Sequence, residues 1–190
     1  MELKEEMLDV LEDELWDHYS ELPNPLWYAQ PIKTNDMKKD VVIFDLDGTL
    51  ALIDDRRKIS TKDNGKIDWD IFFNPKNIDL DKPNLPVIKV AQMFKQNGFR
   101  IIILSGRLKT TKDVTKKWLD DNDVPFDILK MRPDNNQFKF MPDDDLKQNW
   151  LDSLFSNKDD IFAVFDDRQK VVDMWRSNGL NVFQVADGNF

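Results

Sequence analysis

Residues 41–57 read VVIFDLDGTLALIDDRR. An apolar run drives into two aspartates one residue apart, Asp45 and Asp47, and then into Gly48 and Thr49. A β-branched run without polar alternation reads as a strand buried on both faces, at the centre of a parallel sheet. Ending such a strand on two carboxylates is costly unless something compensates their charge.

Working outward, the chain alternates between strand and helix. Residues 40–45 read as the first strand and 84–98 as a helix with Pro86 near its start and Gly98 at its end. Residues 99–104 (FRIIIL) read as a second buried strand, 110–122 as a helix and 126–131 as a third strand. Residues 143–155 are a helix, 161–166 (IFAVFD) a fourth strand, 168–178 a helix and 180–185 a last strand. Such alternation implies a doubly wound, Rossmann-like α/β domain with a parallel sheet and helices on both faces, here residues 37–190. Ligands bind at the carboxyl ends of the strands in sheets of this kind. Residues 53–85 leave room for a small cap, with Trp69, Phe72 and Phe73 either packing it onto the body or stacking a base.

Residues 2–22 place Leu3, Met7, Leu11, Leu15, Tyr19 and Leu22 at helical spacing, widened by Leu8 and Trp16. Three prolines within residues 23–31 end that helix, so residues 1–36 read as an acidic N-terminal appendage. It is read as docked on the body, as a surface for homo-oligomerisation, or as an acidic gate over the site.

The composition, 41% hydrophobic and 33% charged, belongs to a globular protein with a real core. No apolar stretch approaches the roughly 18 residues of a membrane span, and the acidic N-terminus does not resemble a secretory leader. With no cysteine, disulfides, thiolate metal sites and cysteine nucleophiles are excluded, and a cytoplasmic location is expected. One histidine, His18, argues against a Ser-His-Asp triad or a multi-histidine zinc site. The net charge of −9 is concentrated, because residues 1–30 carry nine carboxylates against Lys4 alone, a net of −8. The remaining chain is close to neutral, which keeps a nucleic-acid substrate open.

Three strands end in chemistry: Asp45-Leu46-Asp47-Gly48-Thr49, Ser105-Gly106-Arg107 and Asp166-Asp167-Arg168. Each motif alone has an ordinary reading as a turn or a helix cap. Together, in one order and each at a strand end, they predict one site on one edge of the sheet. Four carboxylates converging there call for a hard divalent cation with oxygen ligands, and Mg²⁺ is expected. Lys147, in DDDLK, joins them on a predicted helix, against the ordinary reading of a solvated helical lysine.

FDLDGTLA, Arg56 eleven residues after Asp45, SGR, VPFDILKMR, DDDLK and the ending FDDRQKVVDMWRSNGLNVFQVADGNF resemble the haloacid-dehalogenase (HAD) superfamily of Asp-nucleophile phosphatases. Within it, residues 40–190 are most similar to the 3′-phosphatase domain of phage polynucleotide kinase/phosphatases. No G-x-x-x-x-G-K-[ST] loop occurs in the chain, so kinase activity is not expected. The resemblance implies Asp45 as nucleophile, Asp47 as acid and base, and Lys147 as the electrostatic partner of both nucleophile and phosphate. It implies Mg²⁺ held by the Asp45 carboxylate, the Asp47 carbonyl and one of Asp166 and Asp167, with Asp166 as the direct ligand. Thr49, Ser105 and Gly106 would meet the phosphate or orient the carboxylates. Arg56 and Arg107 would clamp the phosphate, with Arg132 and Arg168 as further candidates. The expected substrate is a 3′-phosphate end of nucleic acid, with free nucleotides or another small phosphoester as the rival. A phospho-acceptor signalling domain and a catalytically idle binding protein are the readings from other classes. Asp47 argues against a receiver domain, which lacks a second Asp at that spacing.

Overall fold

The computed structural model describes residues 39–135 and 138–188. The sequence-predicted helix at 2–22 lies outside them.

Five strands form one sheet: β1 (Val41–Phe44), β4 (Arg100–Leu108), β5 (Ile128–Arg132), β6 (Ile161–Arg168) and β7 (Val182–Gly188), in the order β5-β4-β1-β6-β7. Its four pairings are all parallel. A two-stranded antiparallel ribbon, β2 (Ala51–Leu52) and β3 (Lys82–Pro83), stands apart. The helices are α1 (Asp54–Ser60), α2 (Trp69–Phe72), α3 (Leu85–Gln96), α4 (Lys112–Asp121), α5 (Asp143–Leu154) and α6 (Gln169–Ser177).

β1 is the centre the sequence predicts, with all four residues 0–1% exposed. Alternate residues feed two cores. Val42 and Phe44 join Ile101, Ile103, Ala163 and Phe165 under α3 and α4, where Ile88, Ala91, Trp118 and Leu119 are buried. Val41 and Ile43 join Ile102, Leu104, Ile161 and Val164 on the opposite face, against Leu146, Trp150 and Leu151 of α5 and Val171 and Trp175 of α6. Burying 19 such side chains on the first face and 11 on the second supplies the main drive to fold, each large aliphatic or aromatic one worth roughly 1.5–3 kcal/mol.

The order reverses at β1, whose neighbours are β4 on one side and β6 on the other. That makes the carboxyl end of β1 the switch point at which the sheet opens a crevice. β4 and β6 run further than their apolar stretches, through Ser105-Gly106-Arg107 and Asp166-Asp167-Arg168. The extension follows from irregular pairing: the register shifts between Ser105 and Leu108 opposite β5, and between Asp166 and Arg168 opposite β7.

Between β2 and β3 lie α1, α2 and a 3-10 turn at Pro75–Leu80. Phe72 and Ile78 from this segment are buried in the body's core. Phe72 therefore packs the cap down, while Trp69, against Phe72 and Phe73, is 57% exposed.

Candidate active site at the strand ends

β1 stops at Phe44, and the Asp45 N–H donates to Phe165 O at 2.9 Å, which pins Asp45 beside β6. Its carboxylate is nearly buried and accepts from Lys147 Nζ at 2.5 Å. The same ammonium donates to Asp166 Oδ2 at 2.9 Å. Lys147 shares the buried stripe of α5 with Leu146, Trp150 and Leu151, so packing fixes where its charge sits. Asp166 also accepts from the Arg168 N–H and from Trp175 Nε1, and Thr49 Oγ1 donates to Asp167 Oδ1 at 3.3 Å.

Oxygens of Asp45, Asp166 and Asp167 lie within 4.8 Å of one another. Burial pushes the Asp45 carboxyl well above the usual range; Lys147 works against this and the carboxylates of Asp166 and Asp167 add to it. Burial also raises Asp167, to about 6, with Asp166 adding and Lys147 and Thr49 opposing. Burial disfavours the Lys147 charge, but Asp166 and Asp45 outweigh it and hold the ammonium above the ordinary lysine value. One lysine thus faces three clustered carboxylates. An all-oxygen donor set with excess negative charge fits a hard divalent cation.

Protons compete with that cation for the same oxygens. Metal affinity is expected to weaken as pH falls through the Asp167 value of about 6, with the raised Asp45 carboxyl adding to the competition, by up to about tenfold per pH unit for each proton displaced. Titrating Mn²⁺ calorimetrically at a series of pH values checks this; an affinity flat across the acid range would contradict it.

The turn after β1 is built around Leu46 O, which accepts from the Thr49 and Ala51 N–H groups, while the Gly48 N–H donates to Ala51 O. Gly48 has φ +94°, and a Cβ there would sit 2.6 Å from Asp167 Cγ. Backbone conformation and close approach both demand glycine. Gly48→Ala is expected to cost about 1–3 kcal/mol in stability. By displacing Asp167 it should lower turnover by about tenfold or more, measured by melting and steady-state kinetics on the same preparation.

Asp47 does not share Asp45's surroundings. The strand ends too early for the alternation of strand side chains to align the two carboxylates. Asp47 Oδ1 instead accepts from Arg56 Nη2 at 2.7 Å and from Arg107 Nε and Nη2 at 2.8 and 2.5 Å. Asp81 closes the network, accepting from Arg56 Nε at 2.8 Å and Arg107 Nη2 at 2.5 Å. Both arginines are 0% exposed. The structure places the forks of both, expected from the sequence to clamp a phosphate, against Asp47 and Asp81. Burial works to raise the Asp47 carboxyl, yet Arg107 and Arg56 prevail and keep it below the usual value. Asp81 is raised to about 6, by burial first and by the nearby Asp47 charge, against the two arginines.

Arg132, a further candidate for the phosphate, also has protein partners. Buried, it donates to the carbonyls of Gly106, Phe138 and Met141 and pairs with Asp143. Arg168 pairs with the same Asp143. Asp143, one turn before Lys147 on α5, thus ties that helix to the ends of β5 and β6. A Cβ on Gly106 would meet Asp143 Oδ1 at 2.9 Å, so the glycine in SGR admits this carboxylate. Ser105 Oγ accepts from the Arg107 N–H and steadies that turn. Sequence reasoning missed Asp81 and Asp143. The one-turn spacing from Asp143 to Lys147 was a usable signal, whereas no motif surrounds Asp81.

The family described as "Polynucleotide kinase PNKP phosphatase domain" matches residues 39–190. The chain belongs to that family. As a PNKP phosphatase domain it is a HAD-type phosphatase, a phosphoric monoester hydrolase, and phosphatases of this superfamily generally use a divalent metal. The phospho-acceptor and idle-binder readings are set aside.

A protein of Autographa californica nuclear polyhedrosis virus described as a bifunctional polynucleotide kinase/RNA ligase is 30% identical over 149 residues, which is 76% of this chain and 19% of the viral one. Two solved structures of Pnkp1/Rnl/Hen1 complexes, the second titled an RNA repair complex, contain chains 34% identical to this one. They cover 80% and 79% of it, with TM-scores of 0.62 and 0.64. The PNKP phosphatase domain here spans 48% and 43% of those chains, less than half their length. A structure from Clostridium difficile described as a phosphatase, at 15% identity and TM-score 0.57, covers 76% of this chain and 84% of its own and shares the fold. Among the described residues no helix is long and apolar enough to cross a membrane.

Proposed function

We propose that the protein removes 3′-phosphates from nucleic-acid ends through an aspartyl-phosphate on Asp45, with Mg²⁺ as the cation. The family match supports the polynucleotide substrate. The observation that carries the chemistry is the Asp45–Lys147–Asp166 arrangement, a buried carboxylate held by an ammonium beside an oxygen-only cation site.

Asp45 would attack phosphorus as the bond to the leaving ribose oxygen breaks. Asp47 would give that oxygen a proton, then take one from the water that attacks the phosphoenzyme, releasing inorganic phosphate and restoring Asp45. Asp47 Oδ2 receives none of the three guanidinium bonds and is our choice for the proton carrier. The lowered carboxyl value keeps Asp47 ionised near neutral pH, so the form that accepts a proton is the populated one and the protonated form is scarce. Lys147 would offset charge on Asp45 and on the phosphoryl oxygens throughout. Asp45, Asp166, Asp167 and the Asp47 carbonyl would hold the cation, which supplies charge neutralisation for the phosphoryl group.

The test is a substrate panel in Mg²⁺: a 3′-phosphorylated oligonucleotide, its 5′-phosphorylated counterpart and nucleoside monophosphates. The 3′ end should give the highest kcat/KM. Faster turnover of monophosphates would replace the polynucleotide reading with that of a nucleotide phosphatase.

A further inference from the structure

A doubly wound sheet is ordinarily covered on both faces, and this one is left partly open along the β7 edge of one face. On one face α6 packs over β6 and β7. On the other, α3 and α4 serve β1, β4 and β5, α3 reaches β6 through Phe94, which packs on Phe162 and Phe165, and Phe183 of the edge strand β7 is left 55% exposed. The burial of a cross-strand aromatic row records the gap. Phe44, Phe165 and Phe183 are in register and stacked, with centroids 4.6 and 4.9 Å apart. Their exposure rises from 0% to 8% to 55% toward the sheet edge. Phe162, brought to the same face by the irregularity at Val41/Val42, packs on Phe94 and Phe99 and is still 39% exposed.

Beside these rings is a cavity of about 320 Å³ lined by Lys39, Phe162, Asn181, Val182 and Phe183. Lys39 is the first described residue, so the chain enters the domain at this cavity. The preceding 38 residues carry the apolar stripe Leu3, Met7, Leu11, Leu15 and Tyr19 that the sequence puts on one helical face. A helix over residues 2–22 would be about 31 Å long. The proline-bearing connector of residues 23–38 reaches up to roughly 50 Å, enough for the helix to fold back.

We propose that residues 2–22 dock as an amphipathic helix, stripe inward, across Phe162, Phe183 and the cavity beside them, completing the layer over β6 and β7. The surface runs from Phe162, at the start of β6, to Phe183, which is in register with Phe165, and it lies on the face of the sheet rather than in the crevice at the strand ends that holds Asp45 and Asp166. The acidic segment on this account is a structural cover and not a gate over the catalytic cleft.

The chain has no cysteine, so introduced pairs are its only thiols. Leu11→Cys with Asn181→Cys, treated with a short bis-maleimide in dilute full-length protein, should crosslink at monomer mass. Asp13→Cys with Asn181→Cys, from the opposite side of the helix, should crosslink about fivefold less. Hydrogen exchange of the unmodified chain should show residues 2–22 protected by about tenfold or more. Leu11→Asp/Leu15→Asp should remove that protection with kcat/KM unchanged. Crosslinks at dimer mass would assign the face to a second copy of the chain and overturn the proposal. Equal crosslinking by the two pairs, or unprotected exchange of residues 2–22 in the unmodified chain, would overturn it as well.

Discussion

Asp45→Asn is expected to lower kcat by about 10⁴-fold or more, the scale on which removal of a covalent nucleophile acts. Without metal the same variant should melt higher than the parent. Burial raises the Asp45 carboxyl well above its ordinary value, so the folded state binds that proton more tightly than the unfolded chain. The penalty is absent below the unfolded value of about 3.9 and grows as pH rises toward the folded one. Asparagine keeps the shape without the charge and should be the more stable of the two near neutral pH. Saturating Mg²⁺ should reverse the order, because the parent offers the cation a full carboxylate set. Melting both proteins with and without Mg²⁺ reads all of this. A variant that keeps turnover within about tenfold would remove Asp45 from the nucleophile role.

Asp81→Ala is expected to act on stability and rate together. It leaves Arg56 and Arg107, both fully buried, sharing only the Asp47 carboxylate. Breaking a buried ion network by deleting one partner costs about 3–5 kcal/mol, a fall in Tm of roughly 10 °C for a domain of this size. Turnover should drop by about 100-fold, since Asp47 loses the frame that sets its position. Asp81→Asn retains hydrogen-bond acceptance and should recover part of both losses. Loss of stability with kcat unchanged would mean that the network does not serve Asp47.

Much of this was legible in the sequence for one reason. In a parallel sheet the central strands are apolar throughout, so the first polar residue beyond each apolar run marks its exit from the core. Asp45, Ser105 and Asp166 are found that way, and the topology gathers them because β1, β4 and β6 are neighbours. Lys147 was legible from its place in DDDLK on a helix between the second and fourth strand ends, and its burial on the apolar stripe of α5 came only with the structure. What the sequence could not give was the protein partners of the guanidiniums. Arg56, Arg107 and Arg132 were read toward substrate from their motifs, and packing sets against each an acceptor far away in sequence. Asp81 was beyond reach, since its place depends on the path of the cap from α1 back to β3. The residues beyond the apolar parts of β4 and β6 looked like loops because irregular pairing leaves no periodicity to read.

The cap has a consequence for how this enzyme can change. Arg56 enters from α1 and Asp81 from the end of the 3-10 turn, so the insertion between β2 and β3 furnishes half of the frame around Asp47. Exchanging the whole insertion for that of another phosphatase would dismantle the catalytic centre along with the lid. Its outer loop at residues 61–67, closed by the Thr61–Ile67 bridge and by its own hydrogen bonds from the Lys62 and Gly65 N–H groups, stands clear of that frame. Lengthening or recomposing that loop is the route by which a lineage, or an engineer, can alter substrate preference and keep the chemistry intact.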